Sequence, residues 1–294
     1  MRYNRYVEQA QKNLLQAGYS VGRWGTDGKF GEDTLSAVNM AIADAKKTDE
    51  AADDEDESQK QNMEYEFAGE LKYGDSGEDV ANLQRLLIKW HMGYYLGKAQ
   101  ADGKYGRGTK EAVTEMQKGM GMKPSGTADE SLWEALNRQP VDISRWTTPQ
   151  NGQLPFACNC KGKYCKSQTD AQPGRTSVGL MIMIERVEAE LCRRFGREDI
   201  ELRLTDDMNP NDDDDRNGGN RCTRWNKAHG GASGSQHIYR RAADLFVVCP
   251  DVEGKSKPSI HSLYTVADEM NPYGGVGEYK GNIHIDTRGW KSRW

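Results

Sequence analysis

The stretch TDEAADDEDESQKQ, residues 48–61, does most to constrain how this chain can fold. It combines a block of acids with no large apolar side chain, so it cannot bury enough surface to offset the entropy lost on ordering. No core can run through it. The sequence therefore predicts a solvated acidic linker over 47–66, a short body at 1–46 and a longer portion downstream. Only 36% of the 294 residues are hydrophobic and the mean hydropathy is −0.88, which favours several small cores over one large one.

The segments flanking the linker repeat each other. VEQAQKNLLQAGYSVGRWGTDGKFGEDTLSAV (7–38) and VANLQRLLIKWHMGYYLGKAQADGKYGRGTKEAV (80–113) share a helical run and a Gly-Tyr step. Both continue with Asp-Gly-Lys-aromatic-Gly, then Thr and a second helix ending Ala-Val. In the second copy Val80, Leu83, Leu86 and Leu87 make one apolar helical face. Asp102-Gly103 predicts a turn, and Thr109 is expected to cap the following helix. This pattern resembles the peptidoglycan-binding domain type of bacterial wall hydrolases, an all-α three-helix module. The fuller copy is expected over 67–138, with Trp133 in its core; 1–46 is a partial repeat. The resemblance implies that residues 67–138 fold alone and bind the wall. A proline-marked stretch at 139–152 is read as a second linker.

Residues 153–294 read as mixed α and β. SVGLMIMIERVEAELCRRFG has helical apolar spacing and a stop at Gly196; IELRL, AADLFVV and NIHID suit strands. The expected fold is α+β, an antiparallel sheet with helices on one side. All six cysteines (158, 160, 165, 192, 222 and 249) fall in this half. Disulfides are the favoured reading, with Cys158 or Cys160 tying the approach segment to the domain body. Reduced thiols or a metal held by CNCKGKYC stay open.

The chemistry-bearing residues are His237 and Asp244 in SGSQHIYRRAADLF and His284 in GNIHIDTRGW. Two imidazoles and one carboxylate leave a fourth zinc position open, the catalytic rather than the structural arrangement. On a strand, His284 and Asp286 share one face. SGSQHIYRRAADLF and GGVGEYKGNIHIDTRGWKSRW resemble the Ser-x-His…Asp and closing Gly-Gly…His-x-Asp elements of zinc D-Ala-D-Ala carboxypeptidases and related L,D-specific wall endopeptidases. That resemblance implies His237, Asp244 and His284 as Zn2+ ligands. It also suggests Arg221 as a contact for a substrate carboxylate and Ser235 as a hydrogen-bond donor. There are three departures. Arg240 stands where many members have glycine, MNPNDDDDRNGG is inserted before Arg221, and Gly281 replaces an acid three residues before the second histidine. Asp286 and Glu278 then compete as general base, with Asp286 favoured. His91 and His261 are read as helical surface or core histidines, and His229 as a bystander near the loop.

The reading is a zinc peptidase of cell-wall stem peptides, carried to peptidoglycan by its modules and acting as a monomer. Two alternatives stay open: a non-catalytic wall-binding or structural protein, and a zinc amidase. The net charge of −5 argues against nucleic acid. No apolar run approaches the ~18 residues of a membrane-spanning helix. The opening MRYNRYVEQAQKNLL lacks an apolar signal region, so extracellular, wall or periplasmic action is expected after delivery as a lysin or injected effector.

Overall fold

The computed structural model describes residues 65–148, 154–158, 176–205 and 218–294, together with positions 11, 14, 34 and 38. The chain divides into two compact units, Met1–Glu64 and Tyr65–Trp294. Most of the acidic linker lies outside the described residues. In the first unit the buried Gln11 amide donates to Thr34 Oγ1 at 2.9 Å. Gln84 donates to Thr109 Oγ1 at 3.0 Å in the second. These are equivalent positions of the two repeats, so the repeat preserves a buried polar pair as well as an apolar pattern.

The second unit opens with α1 (Glu78–Lys89), α2 (Gly93–Leu96), α3 (Arg107–Gly119) and α4 (Glu130–Leu136). Val80, Leu83, Leu86 and Leu87 are buried on α1 as their spacing requires, and Trp133 is buried on α4. The turn before α3 uses glycine: Gly103 has φ +71°, and its amide donates to Gln84 Oε1. Thr109 differs from expectation. Helix α3 begins at Arg107 after Gly106, so Thr109 lies inside the first turn, its hydroxyl joined to Gln84 and Lys104 rather than capping. His91 also differs, occupying a turn with φ +66° after α1, its ring bonded to the Val141 carbonyl.

Within 139–152, Ile143 and Trp146 are packed, the latter on α5 (Ser144–Thr147), with 3% and 6% exposure. They belong to an apolar core that runs without a break from Val80 to Ile285. Helix α6 (Val178–Phe195) follows, its first turn closed by the Ser177 hydroxyl and its end by Gly196 at φ +60°. Gly119 on α3 and Gly179 on α6 let the two helices cross closely. A Cβ on Gly179 would collide with the Glu115 carbonyl, and one on Gly119 would sit 3.0 Å from the Gly179 carbonyl.

The remaining elements are β1 (Glu201–Leu204), α7 (Thr223–Ala228), β2 (Ala242–Val248), α8 (Ile260–Met270), β3 (Gly275–Glu278), β4 (Ile283–Asp286) and β5 (Ser292–Arg293). The sheet order is β1-β2-β4-β3-β5, antiparallel except for β3 with β5. Ala243, Leu245, Val276, Ile283 and Ile285 join α6 and α8 in the core. Alternation then sends Asp244, His284 and Asp286 to the opposite face. Cys158 lies against Cys222 and Trp225 in a small separate cluster, while Cys192 and Cys249 are thiols beside the main core. Cys160 and Cys165 lie outside the described residues.

Candidate metal centre

Strand register assembles the centre. Asp244, His284 and Gly277 are direct partners across β2, β4 and β3; Ala242, Asp286 and Gly275 form the next row. His237 arrives from the turn before β2. One donor atom each from His237, Asp244 and His284 lies within 4.8 Å of the others. His237 Nε2 is 3.1 Å from His284 Nδ1, and Asp244 Oδ1 is 3.2 and 3.0 Å from those two nitrogens.

Hydrogen bonds on the far side of each ring decide what these atoms are. His237 Nδ1–H donates to the Gly219 carbonyl at 2.7 Å, which leaves Nε2 as a lone pair. His284 Nε2–H donates to Asp286 Oδ2 at 2.9 Å, which in the neutral ring leaves Nδ1 as a lone pair. Two imidazole lone pairs and a carboxylate oxygen therefore face one point, an arrangement that calls for a cation. The donor set fits a divalent metal, with Gly219 and Asp286 fixing ring orientation from behind. Burial holds the His237 pKa below the ordinary value. For His284 burial acts the same way, but Asp244 and Asp286 outweigh it and raise the pKa. An incoming metal thus displaces a proton.

Asp286 is fully buried and accepts from the Gly275 and Arg288 amides at 3.2 and 3.1 Å and from the Arg288 guanidinium. Burial opposes its charge, yet His284 and Arg288 hold its pKa well below the carboxylate range. Gly275 is required here, because a Cβ would collide with the Asp286 carboxylate. Asp286 thus meets the nitrogen of His284 that faces away from the convergence point. Glu278 is farther removed. It pairs with Ile283 in register and bonds to His261 of α8 at 3.1 Å, on the helix side of the sheet.

The centre opens into a cavity of about 900 Å³ lined by Arg221, Ser235, Lys280, Asn282 and Trp294 among others. Arg221 pairs with Asp244 Oδ2, so the inserted segment before it ends at the site. Trp294 lies over Gly277 with its ring centroid 5.1 Å from that of His284, and its indole N–H donates to Tyr279 at 2.8 Å. Among the described residues, Asp244 is the one carboxylate lining this cavity. His229 stacks on Trp225 instead. Sequence reasoning missed Gly219, Asn282 and Trp294. The Gly-Gly pair at 218–219 and the aromatic ending were visible signals, but only the folded chain brings them to the histidines.

Residues 76–136 match the peptidoglycan binding domain family, and residues 216–286 match the Peptidase M15 family. Residues 216–286 are thus similar to peptidase M15 domains. The M15 match encloses His237, Asp244, His284 and Asp286 together with the Gly219 carbonyl. Zinc D-Ala-D-Ala carboxypeptidase of Streptomyces albus G is 28% identical over 183 residues, 62% of this chain and 62% of that protein. A probable N-acetylmuramoyl-L-alanine amidase of Bacillus licheniformis is 37% identical over 83 residues, 27% of this chain and 23% of that protein. The similarity thus spans less than two thirds of either relative.

Proposed function

We propose that the chain is a zinc-dependent peptidase of peptidoglycan stem peptides, a D-Ala-D-Ala carboxypeptidase or endopeptidase acting at the cell wall as a monomer. The observation that carries this reading is the convergence of His237 Nε2, Asp244 Oδ1 and His284 Nδ1 on one point at the floor of a cationic cleft. Held there, zinc would supply Lewis acidity for water and for a peptide carbonyl. The chain's own groups do the rest. Gly219 and Asp286 keep both rings in the metal-binding tautomer. Arg221 and Lys280 offer positive charge to a peptide carboxylate. Ser235 and Asn282 offer neutral hydrogen bonds to its backbone, and Trp294 shields one side of His284 from water. The relatives, a zinc D-Ala-D-Ala carboxypeptidase and a probable amidase by name, support a wall substrate.

A second reading, a wall-binding protein without turnover, draws on the lack of a carboxylate other than Asp244 among the described lining residues. Mass spectrometry of peptidoglycan incubated with zinc-loaded protein separates the readings. Loss of a terminal D-alanine or a cut cross-link supports the peptidase. Release of whole peptides from sugar would indicate an amidase, and an unchanged digest with retained binding would leave the non-catalytic reading.

A further inference from the structure

A second cavity, of about 710 Å³, lies where α3 of the N-terminal module meets the turn that carries His237. Its walls come from both parts of the second unit: Tyr94, Arg107 and Lys110 from the module, Tyr239, Arg240 and Arg241 from the turn. The two sides are held in fixed relation by the α3–α6 crossing, by Arg186 donating to the Gly119 carbonyl at 2.9 Å, and by Ser177 Oγ on Glu115. The cavity is therefore a built feature of one body.

Three observations say what it takes. Tyr94 and Tyr239 line the cavity with 60% and 58% exposure, the Arg241 guanidinium lying 5.3 Å from the centroid of the Tyr239 ring. Such rings suit the C–H face of a sugar. Cations outnumber acids in the lining: Arg107, Lys110, Lys118, Arg240 and Arg241 stand against Glu111 and Glu115, Glu115 is engaged by Lys118 and Ser177, and Arg107, Lys110 and Arg240 form no ion pair among the described residues. The backbone is also strained at one lining residue. Arg240 has φ +58°, a region that disfavours any residue with a Cβ, and glycine would relieve it at no steric cost. The turn is pinned by the Arg240 carbonyl accepting from the Ser177 amide and by Arg241 Nε donating to Gln236 Oε1 at 2.8 Å. Gln236 lines the metal-centre cavity, so one loop serves both spaces, with a histidine on one side and Arg240 on the other.

We infer that this junctional cavity is a binding subsite for a carboxylate-bearing amino-sugar peptide, the glycan–peptide polymer itself. The inference rests on the peptidase reading above and deepens it. The module supplies one wall of a substrate cleft, and Arg240, on its strained backbone, supplies a guanidinium to the other. A stem peptide leaving the sugar at this cavity runs along the 234–241 loop toward the metal centre.

The test uses the full chain loaded with zinc. Retention on insoluble peptidoglycan, thermal melting and turnover are compared for wild type, Arg240→Gly, Tyr239→Ala and Arg107→Ala/Lys110→Ala. Loss of a charge-assisted contact should weaken retention about tenfold in each cation variant. On polymer relative to a short acetylated peptide ending in D-Ala-D-Ala, kcat/KM should fall similarly, through KM. Arg240→Gly should melt at or above the wild-type temperature, which a merely structural arginine would not do. Soluble disaccharide-peptides should compete for retention. Competition by neutral N-acetylglucosamine oligomers alone, or by a polyglycerol phosphate alone, would overturn the assignment to a carboxylate-bearing ligand. If all variants are retained like wild type while wild type cuts both substrates, the subsite is wrong and the peptidase reading stands. If wild type cuts neither substrate yet the variants lose retention, the subsite stands and the peptidase reading falls.

Discussion

Asp286 and Glu278 show how one position along a strand separates two carboxylates that look equivalent in sequence. Glu278 follows Gly277, the register partner of His284, and so faces the helices. Asp286 shares the face of His284 but is consumed by His284 Nε2 and Arg288. Asp286→Asn should therefore weaken zinc binding about 10- to 100-fold, the usual cost of losing an outer partner of a metal-bound histidine. Competition with a chromogenic chelator measures this; undiminished affinity beside a lost rate would restore a direct proton-transfer role to Asp286. Glu278→Gln should turn over within about twofold of wild type, whereas loss of a general base costs about 100-fold or more. His237→Ala and His284→Ala each leave two ligands and should emerge from dialysis without zinc, as metal analysis will show.

At the scale of elements, the sequence was most legible where a single periodicity held. Helix α6 appears with its stop at Gly196, and β1, β2 and β4 fall within one residue of IELRL, AADLFVV and NIHID. Strand β3 was hidden because GVGE carries two glycines, which are needed so that Trp294 and Asp286 can lie over them. The cluster of His237, Asp244 and His284 was readable from residue type and order. Its tautomers were not, because they depend on the Gly219 carbonyl and the Asp286 carboxylate reaching the rings from other segments. The α3–α6 crossing was equally invisible, since Gly119 and Gly179 look like helix weaknesses in isolation. Gly179→Ala should gain about 1 kcal/mol in helix propensity. Against this, a Cβ forced onto the Glu115 carbonyl belongs to the overpacking class that costs about 1–3 kcal/mol, and backbone cannot step aside cheaply. The net expectation is a loss, read as a lower urea midpoint at unchanged slope.

For the whole molecule, the sequence suggests a module at 67–138 that folds alone, whereas the core from Val80 to Ile285 has no gap at residues 139–148. Ile143 and Trp146 fill that joint, with Arg145 bridging to Glu185 and Glu188 of α6 at 2.6 and 2.8 Å. Cooperative unfolding follows shared buried surface, so residues 65–294 should melt as one unit. Calorimetry of a chain shortened to 65–294 should give a single transition whose van't Hoff and calorimetric enthalpies agree. Zinc should raise that whole transition, because a metal bound only by the folded state stabilises everything that unfolds with its site. Gly179→Ala then discriminates between coupling and mere contact. If module and sheet are coupled, it lowers the single peak. If they are independent, it leaves the zinc-sensitive peak in place and exposes a second, zinc-insensitive transition for residues 65–138. That second outcome would return the module to the role of a tethered wall anchor, and the junctional cavity would lose the rigid wall on which its binding depends.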